Sequence, residues 1–382
     1  MTQQSARLFF LDWARSALML LGVVLHTANV YTTGSKWFVV DPDGSSVYGA
    51  ISGIIHVFRM PAFFLISGYF LAMNLERRTR GLVMRQRLPR IVLPLLVVMF
   101  TLNILQPAVL ESLRGKGFFH GLRFSVQPYH LWFLIDLLIF NAIAILIWSI
   151  PRSVKHLPSI KSFWLLVVVL GLGTFLCELT VRLTGHAYHN FFLTVSLFEL
   201  AYYGTFFGFG MIARTQSHYF ELLKSSPWWA ILPAAALAYA LRVLQIDQGR
   251  WLSELMTLLS YWATWYAVAA TIATFHRFFS DESKVAVTLS DASYSIYLFH
   301  HIMVVIGGAL LIGINLPSVV KFILLILVAF AISMLLHRIV VRPYRVVSLI
   351  LNGKWSGDSM WPRVTRWSLA SRPQATETAE PL

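Results

Sequence analysis

The sequence predicts an all-α fold: a polytopic integral membrane helical bundle of about ten transmembrane helices. Three observations predict it. Of 382 residues, 57% are hydrophobic and only 13% are charged, with a mean hydropathy of +0.66. Soluble domains run about 45–50% apolar and about 25% charged. Several separate stretches also come close to the roughly 20 mostly apolar residues that a span needs. Finally, no series of short alternating strands is present, so the spans are helices and not barrel strands.

The ten spans fall at about 8–30, 47–73, 91–110, 129–150, 162–182, 190–213, 228–245, 252–275, 290–313 and 318–340. The first apolar run, Leu8 to Tyr31, is too long for a signal peptide core. It also lacks a basic lead and a small-residue cleavage site, so it reads as a span. The second, His56 to Met73 in its apolar part, carries His56 and Arg59 and then Ser67 and Gly68, small residues that let another helix approach closely. The seventh is the weakest, with Pro233 inside it. Loops are short and no internal repeat is visible, so residues 1–350 form one domain and 351–382 a polar, disordered tail. The one cysteine, Cys177, excludes an intrachain disulfide and a cysteine metal site, and reads as buried packing.

The net charge of +14 and pI near 10.1 would suggest nucleic acid in a soluble chain. Here basic residues gather in loops, so no nucleic-acid partner is inferred; the partner is the lipid bilayer. Arg77, Arg78, Arg80, Arg85, Arg87 and Arg90 follow span 2. Arg338, Arg342, Arg345, Lys354, Arg363, Arg366 and Arg372 follow span 10. The loop after span 1 sets Lys36 against Asp41 and Asp43. The positive-inside rule then places both termini in the cytoplasm. The loop 111–127, with Arg114, Lys116 and Arg123, is a mild exception.

Ionisable side chains within spans are costly, so they mark pathways or sites. Span 1 holds Asp12, Arg15 and His26. At 3.6 residues per turn all three share one face, with His26 about 21 Å beyond Asp12. Asp12 and Arg15 could simply pair at the interface, and His26 could be a satisfied core histidine. His56, Arg59, His130 and Glu199 are expected in the outer half, with Asp136 and the pair His300–His301 nearer mid-depth. An outer-half cavity is the simplest way to house them. Arg59 could alternatively pair with Glu199 or Asp136. Glu178 and Arg182, four apart, are expected to pair with each other. Arg87 and Arg90 share a face if the helix continues through Pro89, and arginine forks suit phosphate, though plain membrane anchoring explains them as well. No metal, P-loop or dinucleotide signature is present, and His300–His301 point about 100° apart on a helix.

Several segments resemble the membrane acyltransferase-3 family: LDWARSALMLLGVVLH, HVFRMPAFFLISGYF, the R-x-x-R of Arg87 and Arg90, PYHLWFLIDLLIF and DASYSIYLFHH. The likeness covers about residues 8–350 and is nearest to the branch associated with succinyl substitution of osmoregulated periplasmic glucans. It implies a multi-pass inner-membrane enzyme with no bound cofactor. Its co-substrate would be an acyl-CoA, succinyl-CoA in this branch, and its acceptor a periplasmic glucan, with other glucan-synthesis proteins as further partners. By position it makes His26 the catalytic histidine with Asp12 and Arg15 completing the motif, Arg87 and Arg90 the donor contacts, and gives His300 a less secure role.

Acyl transfer needs a base for the hydroxyl proton and stabilisation of the oxyanion. His26 suits the first task, as base or as transient acyl carrier. A succinyl donor carries a free carboxylate, for which Arg59, assisted by His56, is the candidate. His130, Asp136, Glu199 and His300 complete the expected substrate pocket. Two other readings stay open: acetyl transfer to another surface glycan, and a non-enzymatic transporter or flippase of an anionic substrate.

Overall fold

Helices α2 (Ser46–Arg77) and α8 (Leu197–Thr215) meet backbone to backbone. A methyl group added at Gly68 would strike the carbonyl oxygen of Phe207, and one at Gly210 the carbonyl oxygen of Leu65. Small residues on both sides thus allow a close helix crossing, as Gly68 leads one to expect. A computed structural model describes residues 8–122, 127–148, 159–193, 195–281 and 283–354. Residues 355–382, which hold most of the expected tail, and Arg123 lie outside the described residues.

The other helices are α1 (Phe9–Val30), α3 (Arg80–Phe100), α4 (Leu102–Leu113), α5 (Phe118–Gly121), α6 (Trp132–Ile147), α7 (Phe163–Leu183), α9 (Ser217–Lys224), α10 (Ile231–Leu244), α11 (Arg250–Phe278), α12 (Lys284–Leu311), α13 (Ser318–Leu336) and α14 (Arg345–Asn352). Among the described residues nine helical stretches are long and apolar enough to cross a membrane. Helix α8, expected as part of a tenth, packs against α2 and α7 but is not among these nine; its glycines, tyrosines and Glu199 lower its hydropathy.

Burial separates the helices into two layers. In α2, α11 and α12 most of the apolar window is buried (61%, 67% and 61%), against 22% in the α13 span. Helix α1 sits in the inner layer, touching α2, α11, α12 and α13. The outer helices turn apolar side chains outward, as a lipid-facing surface requires, and keep ionisable residues such as Lys321 and Glu178 on their buried faces.

Four expectations change. The third span runs from Arg80 to Leu113 with one break at Thr101, because the chain continues helically through Pro89 and Pro94. The sixth begins at Leu197, not 190. Asn190–Phe192 (β1) pairs antiparallel with Val195–Ser196 (β2), and Ser196 then caps α8 in a reciprocal box with Glu199. Cys177 is exposed, on a face of α7 turned away from its neighbours. Helix α14 carries the folded chain to Asn352, two residues past the expected boundary.

Candidate active site

Helix α1 carries a stripe of Asp12, Arg15, Met19, Gly22 and His26, spaced alternately three and four residues apart. That spacing keeps the stripe on one face over about 21 Å of rise. Its start faces a basic cavity and its end a cluster of histidines.

The basic cavity has a volume of about 460 Å³. Its mouth is lined by Arg15, Arg78, Arg87, Arg90 and Lys354, with Asp291 as the carboxylate in its wall. Arg87 and Arg90 share this wall because α3 does continue through Pro89. Arg87 donates to Asn141 Oδ1 at 3.0 Å, which fixes one side of its fork. The Arg90 carbonyl accepts from Tyr294 Oη at 3.0 Å. Gly353, with φ of 60°, ends α14 against the Arg90 backbone, where a methyl group would collide with it. Farther in, the wall turns apolar, with Met19, Phe63, Phe133 and Leu137. The cavity thus has a cationic rim and an apolar depth.

One turn beyond that apolar wall stands Arg59, only 6% exposed. Its Nε donates to the Leu18 carbonyl at 2.7 Å, which lays the guanidinium along α1. Gly22 makes the room: a methyl group there would stand 2.6 Å from Arg59 Nη2 and 3.5 Å from His300 Nε2. No carboxylate among the described residues pairs with Arg59, so neither Glu199 nor Asp136 serves as its counter-ion. A buried cation without a counter-charge is costly unless a ligand supplies one.

The histidines come from three elements. His26 ends the α1 stripe, His130 lies in the turn Tyr129–Leu131 before α6, and His300 and His301 lie in α12. The His26 ring is 5.3 Å from His300, 5.1 Å from His301 and 6.4 Å from His130, centre to centre. His130 stacks on His301 at 4.5 Å. His300 and His301 therefore lie at the depth of His26, not below it as expected from sequence. Their near-perpendicular directions are what let one approach Arg59 and Gly22 while the other meets His130.

Hydrogen bonding sets the state of these rings. His300 Nδ1 lies 2.7 Å from the Tyr297 carbonyl, which can only accept, so Nδ1 carries the proton and Nε2 a lone pair in the neutral ring. His301 Nδ1 reaches Gln106 Oε1 at 2.7 Å. Tyr297 Oη donates to the His130 carbonyl at 2.5 Å and pins that turn to α12. Tyr129 adopts φ of 44°, rare for a non-glycine residue, and lies flat over His301 at 6.0 Å. His26 Nδ1 and His300 Nε2 are buried without a protein partner, and the buried His130 nitrogens have only the Leu298 backbone beside them. Buried ring nitrogens without partners are uncommon and leave hydrogen-bonding capacity that a ligand could meet. At the far end Trp37 stacks on His26 at 6.0 Å, and Phe38 meets His301 edge-on at 5.5 Å.

The remaining expected site residues stand apart. Asp12 and Arg15 approach each other to 3.8 Å at the basic end, far from His26. His56 is exposed and reaches Tyr203 Oη of α8 at 3.4 Å, so its help to Arg59 has no counterpart in its hydrogen bonds. Asp136 is buried with both oxygens unpartnered and lies within electrostatic range of Glu199. Glu199 itself is engaged in the α8 cap. The carboxylates expected in the histidine pocket are therefore outside it, on the α8 side. Glu178 does meet Arg182, at 3.2 Å, and Glu254 completes a bidentate fork on the same arginine.

Sequence reasoning missed Gly22, Trp37, Tyr129 and Gln106, which carry no chemical signature of their own. It also missed the pair of Lys321 with Asp41 at 2.6 Å, both fully buried. A lone lysine in an apolar span was the available signal for that one. Among the described residues no group of three or more His, Cys, Asp or Glu side chains is arranged to hold a metal ion.

Comparison with known proteins places the chain in a family. Residues 8–338 match the acyltransferase domain family of type 3. Glucans biosynthesis protein C of Escherichia coli strain K12 is 27% identical over 329 residues, covering 79% of this chain and 83% of its own. The same protein from strain E24377A (O139:H28) and from strain HS (O9:H4) gives the same values. No solved structure matches the chain. A helical membrane bundle matched over residues 8–338 places the chain in the acyltransferase-3 family, and it is a member of that family of membrane acyltransferases.

Proposed function

We propose that this acyltransferase moves a succinyl group from succinyl-CoA to a hydroxyl of an osmoregulated periplasmic glucan, across an inner membrane with both chain termini in the cytoplasm. The single observation that carries the reading is the continuous α1 stripe. It leads from a cavity with an arginine rim and apolar depth to a cluster of unpartnered histidine nitrogens.

The anionic nucleotide end of the donor binds at Arg87 and Arg90. Its pantetheine arm lies along Met19 and Phe63, and the thioester reaches the Gly22–His26 turn. Arg59 holds the free succinyl carboxylate and gains the counter-charge that the protein does not give it. His26 takes the proton of the sugar hydroxyl as its oxygen attacks the thioester carbon. The C–S bond breaks, the thiolate leaves, and the proton from His26 restores the thiol of CoA. A transient acyl-histidine would use the same atoms in two steps. His300 Nε2 and His130 stand beside the reacting centre as further acceptors. The similarity to proteins named for glucan biosynthesis supports the choice of acceptor.

The test is mass spectrometry of periplasmic glucans from a strain lacking the gene, complemented with wild type or His26→Ala at matched protein levels. Wild type is expected to restore succinyl groups and His26→Ala to lose them, by about 10²–10⁴-fold in rate. Acetyl groups on another glycan in their place would overturn the choice of donor and acceptor. Equal restoration by both would remove His26 from the chemistry.

A further inference from the structure

A second cavity, of about 310 Å³, adjoins the first. The two share Arg15, Ser290, Asp291 and Lys354 in their walls. The second is closed on its other side by Arg338 and Arg342, at the end of α13. There the helix widens into a π turn, His337–Val341, closed by the Arg342 amide on the His337 carbonyl at 2.9 Å. Such turns recur at functional positions. This one buries His337 and leaves Arg338 and Arg342 exposed to the cavity.

The charges of the cavity are already partly spoken for, and unequally. Asp291 accepts from Lys354 at 3.5 Å and lies 3.4 Å from His337 Nε2. His337 is held in turn by Ser295 at 2.9 Å. Asp12 lies beside Arg15. Arg338 and Arg342 have no carboxylate within ion-pair distance among the described residues. Among the described residues the cavity therefore holds two guanidinium groups without a paired carboxylate at its edge, next to a site proposed for a nucleotide. We propose that Arg338 and Arg342 form a second anion subsite that takes a phosphate monoester, the ribose 3′-phosphate of CoA, while Arg87 and Arg90 take its diphosphate. The inference rests on the donor reading above and extends it to a second pocket. It explains why two basic cavities adjoin, since CoA carries two separate anionic groups linked by one ribose.

The same chemistry would suit the phosphate of an anionic lipid, and the experiment separates the two sources. Full-length protein in detergent is titrated with CoA and with dephospho-CoA, which lacks only the 3′-phosphate. Wild type should prefer CoA by about tenfold. Arg338→Ala/Arg342→Ala should bind CoA as weakly as dephospho-CoA, with its dephospho-CoA affinity unchanged. Arg87→Ala/Arg90→Ala should weaken both ligands. A wild-type preference retained in Arg338→Ala/Arg342→Ala overturns the subsite. So does an equal loss for both ligands, and so does loss of co-purified anionic lipid with the CoA preference intact, which assigns the pocket to lipid. Absence of binding of either ligand to well-folded wild type would instead overturn the donor reading itself.

Discussion

Two buried polar groupings lie near the far end of the bundle, and they are built on opposite terms. Lys321 and Asp41 are both fully buried and meet at 2.6 Å, with Asp41 also accepting from the Asp43 amide at 2.9 Å. In the histidine cluster His130, His300 and His301 are buried and His26 half-buried, yet His26 Nδ1 and His300 Nε2 have no protein partner, and no described carboxylate pairs with Arg59 beside them. The first grouping is complete without a ligand and serves structure. It ties the 31–45 loop, which carries Trp37 and Phe38, to α13. The second is complete only with a ligand, and its unmet hydrogen bonds are what binding and chemistry use. The contrast separates function from architecture where burial and polarity alone do not.

The largest expected effects come from reversing the two. Lys321→Ala leaves Asp41 buried and unpaired, which costs about 3–5 kcal/mol. It should lower the thermal midpoint of the detergent-solubilised protein sharply. Lys321→Met combined with Asp41→Leu should restore most of that stability, because a buried pair replaced by apolar groups is close to neutral. His26→Ala should do the reverse: lose transfer with a much smaller fall in the thermal midpoint than Lys321→Ala causes, because it leaves no buried charge unpaired. If His26→Ala unfolded the protein and Lys321→Ala did not, the division between the two groupings would be wrong.

Arg59 gives a selective effect. Arg59→Leu removes a buried cation that has no paired carboxylate among the described residues, only the Leu18 carbonyl, so stability should hold or rise. Succinyl transfer should fall by at least about tenfold, the scale of one charge-assisted contact. Transfer of an acetyl group, which has no carboxylate to hold, should fall much less. Initial rates with succinyl-CoA and acetyl-CoA in the same membranes measure the ratio. An unchanged ratio would remove Arg59 from donor selection.

How much of this could be read from sequence follows the same divide. Elements whose identity depends on local composition were legible: the all-helical bundle, the order of spans and the shared face of Arg15 and His26. The close crossing at Gly68 was legible too, because a small residue in a span has few other uses. The exposure of Cys177 was not, since an apolar span does not say which face meets lipid. The grouping of His26 and His130 with the pair His300–His301 was expected only as a loose outer cavity, with the pair nearer mid-depth. Their meeting depends on the Tyr129–Leu131 turn and on Tyr297 Oη reaching the His130 carbonyl, a contact across 167 residues. Asp136 and Glu199 were misplaced for a related reason. Burial cost says that an ionisable group faces protein, but not which helix it faces.

The smallest effect is the one that most sharpens the comparison. Gly22 bears no functional group, yet it sits between Arg59 Nη2 and His300 Nε2. Gly22→Ala places a methyl group 2.6 Å from the Arg59 nitrogen. That atom is the end of a flexible side chain, so it shifts and the helix stays intact. The alanine also favours helix by up to about 1 kcal/mol over glycine, so stability should be level or slightly higher. Only the guanidinium is displaced. Succinyl transfer should therefore fall a few-fold, with a rise in KM for succinyl-CoA and little change for acetyl-CoA. Gly22→Ala should add almost nothing in the Arg59→Leu background, because both changes act through one group. Additive losses would mean that Gly22 serves helix packing alone, and the room beside His300 would then belong to the structural grouping and not to the site.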